Sequence, residues 1–139
     1  MSQILPESVL NRFRRGVVIP AVPLALDSAR RFDPVHQRAL VRYYMDAGAG
    51  GLAVGVHTTQ FAIRDPEIDL FMPVLRYVSD IVDDWTAKAS EPGAGPLMKI
   101  AGICGRTEQA VREAAFARDV GYHAGLVSLG AFTAADTID

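Results

Sequence analysis

Three times along the chain an apolar run passes through a polar turn into an amphipathic stretch that closes on glycine. This repeat limits the possible folds more than any other feature. The apolar runs are GVVIPAVPLAL (16–26), GGLAVGV (50–56), LMKIAGICG (97–105) and HAGLVSLGAF (123–132). They lack polar alternation, which predicts strands covered on both faces and therefore a parallel sheet flanked by helices. Pro20 and Pro23 weaken the first run as a strand, because each removes a ladder donor. Right-handed crossovers then leave two α/β architectures, an open doubly wound sheet or a (β/α) barrel. Both carry their chemistry at the C-terminal ends of the strands.

The helices announce themselves by their ends. Asp33-Pro34 reads as a cap followed by a first-turn proline. Leu40, Val41, Tyr44 and Met45 then make an apolar stripe, and Gly48 stops the helix. Asp65-Pro66-Glu67 repeats the device ahead of Ile68, Phe71, Leu75, Val78 and Val82. Pro73 falls inside that run and predicts a kink or break. Thr107 is the expected cap of the last long helix, with Ala110, Val111, Ala114 and Ala117 facing inward and Gly121 as the stop. A short leading helix is expected over 5–14, and 88–96 reads as a loop.

Composition narrows the function classes. The 139 residues suit one domain, and half of them are apolar. A formal charge of −2 argues against a nucleic-acid partner or a membrane surface. The Arg clusters at 12, 14, 15 and at 30, 31 have no interleaved aromatics and read as solvated faces. A single cysteine, Cys104, permits no internal disulfide and suggests a reducing, cytoplasmic setting. No run is long enough to span a bilayer. No spacing of the H-x-x-x-H or C-x-x-C kind suggests a metal, and no glycine loop follows the first strand, so no metal and no cofactor are expected.

The chemistry-bearing cluster is His57-Thr58-Thr59-Gln60, at the exit of the second strand. A histidine there can give or take a proton near neutrality, and the threonines offer hydroxyl donors to a carboxylate. The alternatives are a satisfied neutral imidazole and β-favouring residues that merely end a strand. Cys104, at the third strand exit, is more often a small buried hydrophobe than a nucleophile. His36 and His123 read as structural.

The ordered set GVVIPAVPLALD, DAGAGGLAVGVHTTQF and IAGICG resembles the N-terminal half of the dihydrodipicolinate synthase / N-acetylneuraminate lyase family, over about residues 10 to 132. The resemblance implies a (β/α)8 TIM barrel, of which this chain supplies about the first four βα units. It also implies that residues 1–139 are a fragment of a longer chain and that the protein is a homo-oligomer. It implies a class I lyase or aldolase, in which a lysine forms a Schiff base with pyruvate or a related 2-oxo acid. Aligned with the family's Gly-Thr-Thr-Gly-Glu, His57 stands for the proton-relaying threonine, Thr58 keeps the second threonine and Gln60 replaces the glutamate. Gly130-Ala131-Phe132 stands where Pro-Tyr-Tyr is common. His57 is then the catalytic candidate, with Thr58 and Thr59 binding substrate, in a divergent subgroup. Lys88 and Lys99, the two lysines present, are not at C-terminal strand ends, so the Schiff-base lysine is expected outside this chain. Two other readings stay open: a non-catalytic half-barrel that binds a small acid or a partner chain, and an open flavodoxin-like binding domain.

Overall fold

A computed structural model describes residues 5–89 and 95–136. Helix α1 (Glu7–Arg14) leads into an extended segment, then α2 (Pro34–Asp46) and strand β1 (Gly51–Val54). Two short 3-10 turns, His57–Thr59 and Phe61–Arg64, precede α3 (Phe71–Lys88). Strand β2 (Met98–Ile103), α4 (Thr107–Asp119), β3 (Ala124–Val127) and a last 3-10 turn, Leu129–Ala131, complete the order. The three strands are parallel and lie in chain order, β1-β2-β3.

The run expected as a first strand aligns with β1 but is no regular strand. Ala21 bridges Ala53 in parallel, with Ala53 N donating to the Pro20 carbonyl and Val22 N to that of Ala53. Pro20 and Pro23 have no N–H to continue a ladder.

Alternation sorts the sheet into two faces. Leu52 and Val54 of β1 and Ala101 and Ile103 of β2 join the core with Val74, Leu75 and Val78 of α3. Ala53, Ile100, Gly102 and Leu126 share the opposite face by register. β1 is buried throughout. β3 is not, contrary to expectation: Leu126 and Val127 are 59% and 55% exposed. Among the described residues no strand pairs with its far edge.

The helix starts fall differently from the sequence pattern in two places. Asp33 caps α2 as expected, accepting from Val35 N and His36 N, and Gly48 follows with φ +90°. Asp65, however, caps only a turn, accepting from Glu67 N. Asp69 takes a left-handed φ of 45°, so α3 begins at Phe71, with Leu70 at its cap position. Pro73 therefore sits in the first turn, where its missing N–H costs nothing, and α3 runs on unbroken. In α4 the cap position is Arg106, not Thr107, and no side chain caps the helix. Val111, 62% exposed, and Ala114 face outward, contrary to expectation, while Ala110 packs against the core as expected and Glu113 and Ala117 are buried. The loop expected at 88–96 lies partly outside the described residues.

Lys99 and Tyr122 fasten the N-terminal side of the sheet to α3. Lys99 Nζ donates to Asp83 Oδ1 at 2.7 Å and Ser79 Oγ at 2.8 Å. His123 Nδ1 accepts from Lys99 N, and burial pushes the imidazole below its ordinary range. Tyr122 is 7% exposed and donates to the Leu75 carbonyl. Burial, with Asp83 and Asp80 nearby, drives its phenol far above the ordinary range. The unfolded chain ionises this phenol near pH 10, while the folded protein keeps it neutral. Its stabilisation is therefore whole below about pH 10 and is lost as pH rises beyond it. Tyr122→Phe is expected to melt about as the parent does at pH 8, within about 1 kcal/mol. At pH 11 it should lose less stability than the parent, as measured by thermal melts at both pH values.

Candidate active site

The C-terminal ends of the three strands converge on a shallow depression of about 240 Å³. His57 and Phe61 come from the β1 exit, Gly102 and Cys104 from β2, and Leu126 and Ser128 from β3. Gly55, with φ +76°, turns the chain off β1, and His57–Thr59 then winds one 3-10 turn. Gln60 holds a left-handed φ of 73° and starts the second turn. A side chain in that region costs roughly 1–2 kcal/mol, so the local packing enforces this bend.

The candidates at 57 to 59 are adjacent in sequence but differ in environment: His57 lines the depression, while Thr58 and Thr59 lie behind its wall. The His57 ring is exposed and stands edge-on to Phe61, with centroids 6.2 Å apart. Thr59 is fully buried, and its Oγ1 accepts from Gly55 N at 3.0 Å and donates to the Val22 carbonyl at 2.6 Å. That hydroxyl ties the extended first segment to the β1 exit. Thr58 Oγ1 is buried with no hydrogen-bond partner among the described residues.

Cys104 lines the same depression, and its N–H donates to Glu113 Oε2 at 2.9 Å. Burial pushes its thiol above the ordinary range; Arg64 opposes this shift and Glu113 adds to it. A thiol so shifted is a poor nucleophile near neutrality. Lys99 belongs to the opposite end of β2, where its ion pair with Asp83 holds it. Lys88 pairs with Asp84 one turn back on α3. Among the described residues no cluster of histidine, cysteine or carboxylates is arranged to hold a metal ion, and no helix is long and apolar enough to cross a membrane.

Sequence reasoning missed the residues beneath this surface. Arg64 Nε lies 3.0 and 3.1 Å from the two Glu113 oxygens, and Nη2 donates to the Gly102 carbonyl at 2.9 Å. The signal was present: Glu113 falls three residues after Ala110 and four before Ala117, on the inward stripe of α4.

Comparison with known proteins rests on structure alone, since no family model and no curated protein matches the chain. The dihydrodipicolinate synthase of Oceanobacillus iheyensis superposes with a TM-score of 0.64 at 18% identity, covering 83% of this chain and 35% of that one. The chain has the dihydrodipicolinate synthase fold over the part it spans. The Aquifex aeolicus synthase matches it at TM-score 0.61 and 21% identity, over 80% of this chain and 33% of its own. A prophage protein of the dihydrodipicolinic acid synthase family from E. coli K12, solved in complex with pyruvate, gives 0.64 and 19% over 80% and 33%. The chain thus spans about a third of the length of the synthase structures it matches.

Proposed function

We propose that this chain is a divergent member of the dihydrodipicolinate synthase family and forms the first four βα units of a (β/α)8 barrel. The unreversed strand order supports a sheet that curls toward closure, since a doubly wound sheet needs a point where the order reverses. The complete enzyme is then a Schiff-base lyase or aldolase acting on pyruvate or a related 2-oxo acid, cytoplasmic and homo-oligomeric. A lysine amine from beyond this chain adds to the keto carbon and expels water. The protonated imine then accepts the electron pair of the breaking bond and becomes an enamine; in the direction of synthesis the imine first gives up a proton from its alpha carbon, and the resulting enamine supplies the pair. His57 handles the proton, Thr58 receives the substrate carboxylate, and Thr59 supports the site by holding the turn.

The observation that carries this reading is the Thr58 hydroxyl. It is a buried donor without a partner among the described residues, next to an exposed imidazole, at the C-terminal ends of parallel strands. Buried polar groups in folded proteins are nearly always satisfied, and a carboxylate would satisfy this one. Thr58→Val, which breaks no hydrogen bond among the described residues, is expected to leave the melting temperature unchanged and to weaken pyruvate binding roughly ten- to hundredfold, as one charge-assisted hydrogen bond is worth roughly 1.5–3 kcal/mol. Thr59→Val should instead cost about 1–3 kcal/mol of stability, by leaving Val22 O and Gly55 N unpaired. Titration of labelled protein with pyruvate, followed at the His57 ring, checks the site. Borohydride trapping in the enzyme carrying this chain checks the imine; absence of an adduct with any 2-oxo acid would overturn the assignment.

A second reading is a half-barrel that binds a partner chain without catalysis. It draws on the edge of β3, unpaired among the described residues, and on exposed Leu126, Leu129 and Phe132. Stable self-association with no imine formation would favour it.

A further inference from the structure

A buried ion pair beneath the depression ties the 3-10 turn Phe61–Arg64 to helix α4. The Arg64 and Glu113 side chains are 9% and 6% exposed. Arg64 follows the His57 turn and reaches the last part of β2 through the Gly102 carbonyl. Glu113, on α4, accepts from Arg64 Nε, from Gln109 Nε2 at 2.8 Å and from Cys104 N. The guanidinium lies over the Phe71 ring at 4.2 Å and also faces Phe61 at 5.8 Å. Phe61 in turn meets His57. Neither member of the pair lines the depression itself.

We propose that Arg64 and Glu113 are positioning residues that fix the separation and orientation of the His57 and Cys104 walls, and so shape the site whose function is proposed above. Stability alone gives little reason for such a pair. Two charges removed from water recover little or nothing net relative to well-packed apolar side chains. An apolar pair, however, has nothing to offer the Gly102 carbonyl and the Cys104 amide. A planar guanidinium can serve a carboxylate and a carbonyl at once in a fixed fork, which a lysine ammonium cannot. The Phe61 contact extends this fixed geometry to the imidazole.

The test compares the parent with Arg64→Lys and with the double variant Arg64→Met/Glu113→Leu. Both are expected to fold, the double variant because no unpaired charge remains buried. In Arg64→Lys, Glu113 is still present, so Cys104 amide exchange should change only if Arg64 orients that carboxylate. A fivefold or greater acceleration is expected. In the double variant the ring-to-ring Overhauser contact between His57 and Phe61 should fall by half or more in protein that still unfolds cooperatively, at a melting temperature lowered by the unpaired Gly102 carbonyl and Cys104 amide. Placed in the enzyme carrying this chain, the double variant should raise the apparent Kd for pyruvate tenfold or more. Unchanged amide exchange and an unchanged ring contact in either folded variant would overturn the proposal, as would altered contacts with undiminished pyruvate affinity. If the enzyme carrying the parent chain does not bind pyruvate, the functional reading fails, while amide exchange and the ring contact still decide whether the pair positions the walls.

Discussion

Gly102→Ala is expected to unseat the β1 and β2 exits from each other at a cost of about 3 kcal/mol, the upper end for overpacking in a close-packed interior. A Cβ at this position would run into the Gly55 carbonyl group and lie 2.8 Å from the Val56 nitrogen. Those are backbone atoms at the turn that delivers His57, so they cannot rotate aside as a flexible side chain would. The Gly102 carbonyl also holds Arg64, so any shift there reaches the ion pair. Urea titration measures the loss, and an amide spectrum should show the largest displacements at residues 55–61 and 102–104. Gly130→Ala serves as the control, since a Cβ there meets only Ser128 Oγ, at 3.4 Å. Equal stability of the Gly102 variant and the parent would mean that the two strand exits are not in fixed contact.

Glu113→Ala is expected to cost about 3–5 kcal/mol, the usual penalty for stranding one member of a buried ion pair. It leaves the Arg64 guanidinium charged in a site 9% exposed, and it removes the acceptor of both the Cys104 amide and the Gln109 amide group. Of a typical domain stability of 5–15 kcal/mol, that is enough to unfold a marginal protein at 37 °C. Chemical denaturation at 25 °C gives the measurement. A loss under about 1 kcal/mol would show that the pair is hydrated in solution. The contrast with the double variant is the informative part, because removing both charges together should be much milder than removing one.

The positions of most helices and of three of the four expected strands were legible in the sequence, for a local reason. The position of a buried strand, a capped helix and a glycine stop depends on residues within a few places of one another. Val41 and Met45 are buried where the stripe of α2 put them, and β1, β2 and β3 fall inside the runs read as strands. The errors came where a local signal competed with a longer-range one. Asp65-Pro66 is a sound cap pair, but the Leu70 N–H is taken by the Ile63 carbonyl, which folds that stretch back and delays α3 to Phe71. The inward face of α4 was misread because its central member is a glutamate. Only a partner 49 residues away, Arg64, makes that position tolerable inside.

The same division holds at the candidate site. That His57, Thr58 and Thr59 leave the end of a parallel strand follows from the order of apolar and polar residues alone, because chain direction and crossover handedness dictate which end of the sheet they meet. How the three hydroxyl and imidazole groups are employed was a matter for tertiary structure. The Thr59 hydroxyl is spent on Val22, 37 positions earlier; the Thr58 hydroxyl has no partner among the described residues; and His57 faces outward beside Phe61. Hydrogen-bond partners of a side chain are chosen by whichever segments the fold brings within 3 Å, and that selection is non-local. Sequence thus determined where the reactive groups emerge, and packing between distant segments decided which of them remain available.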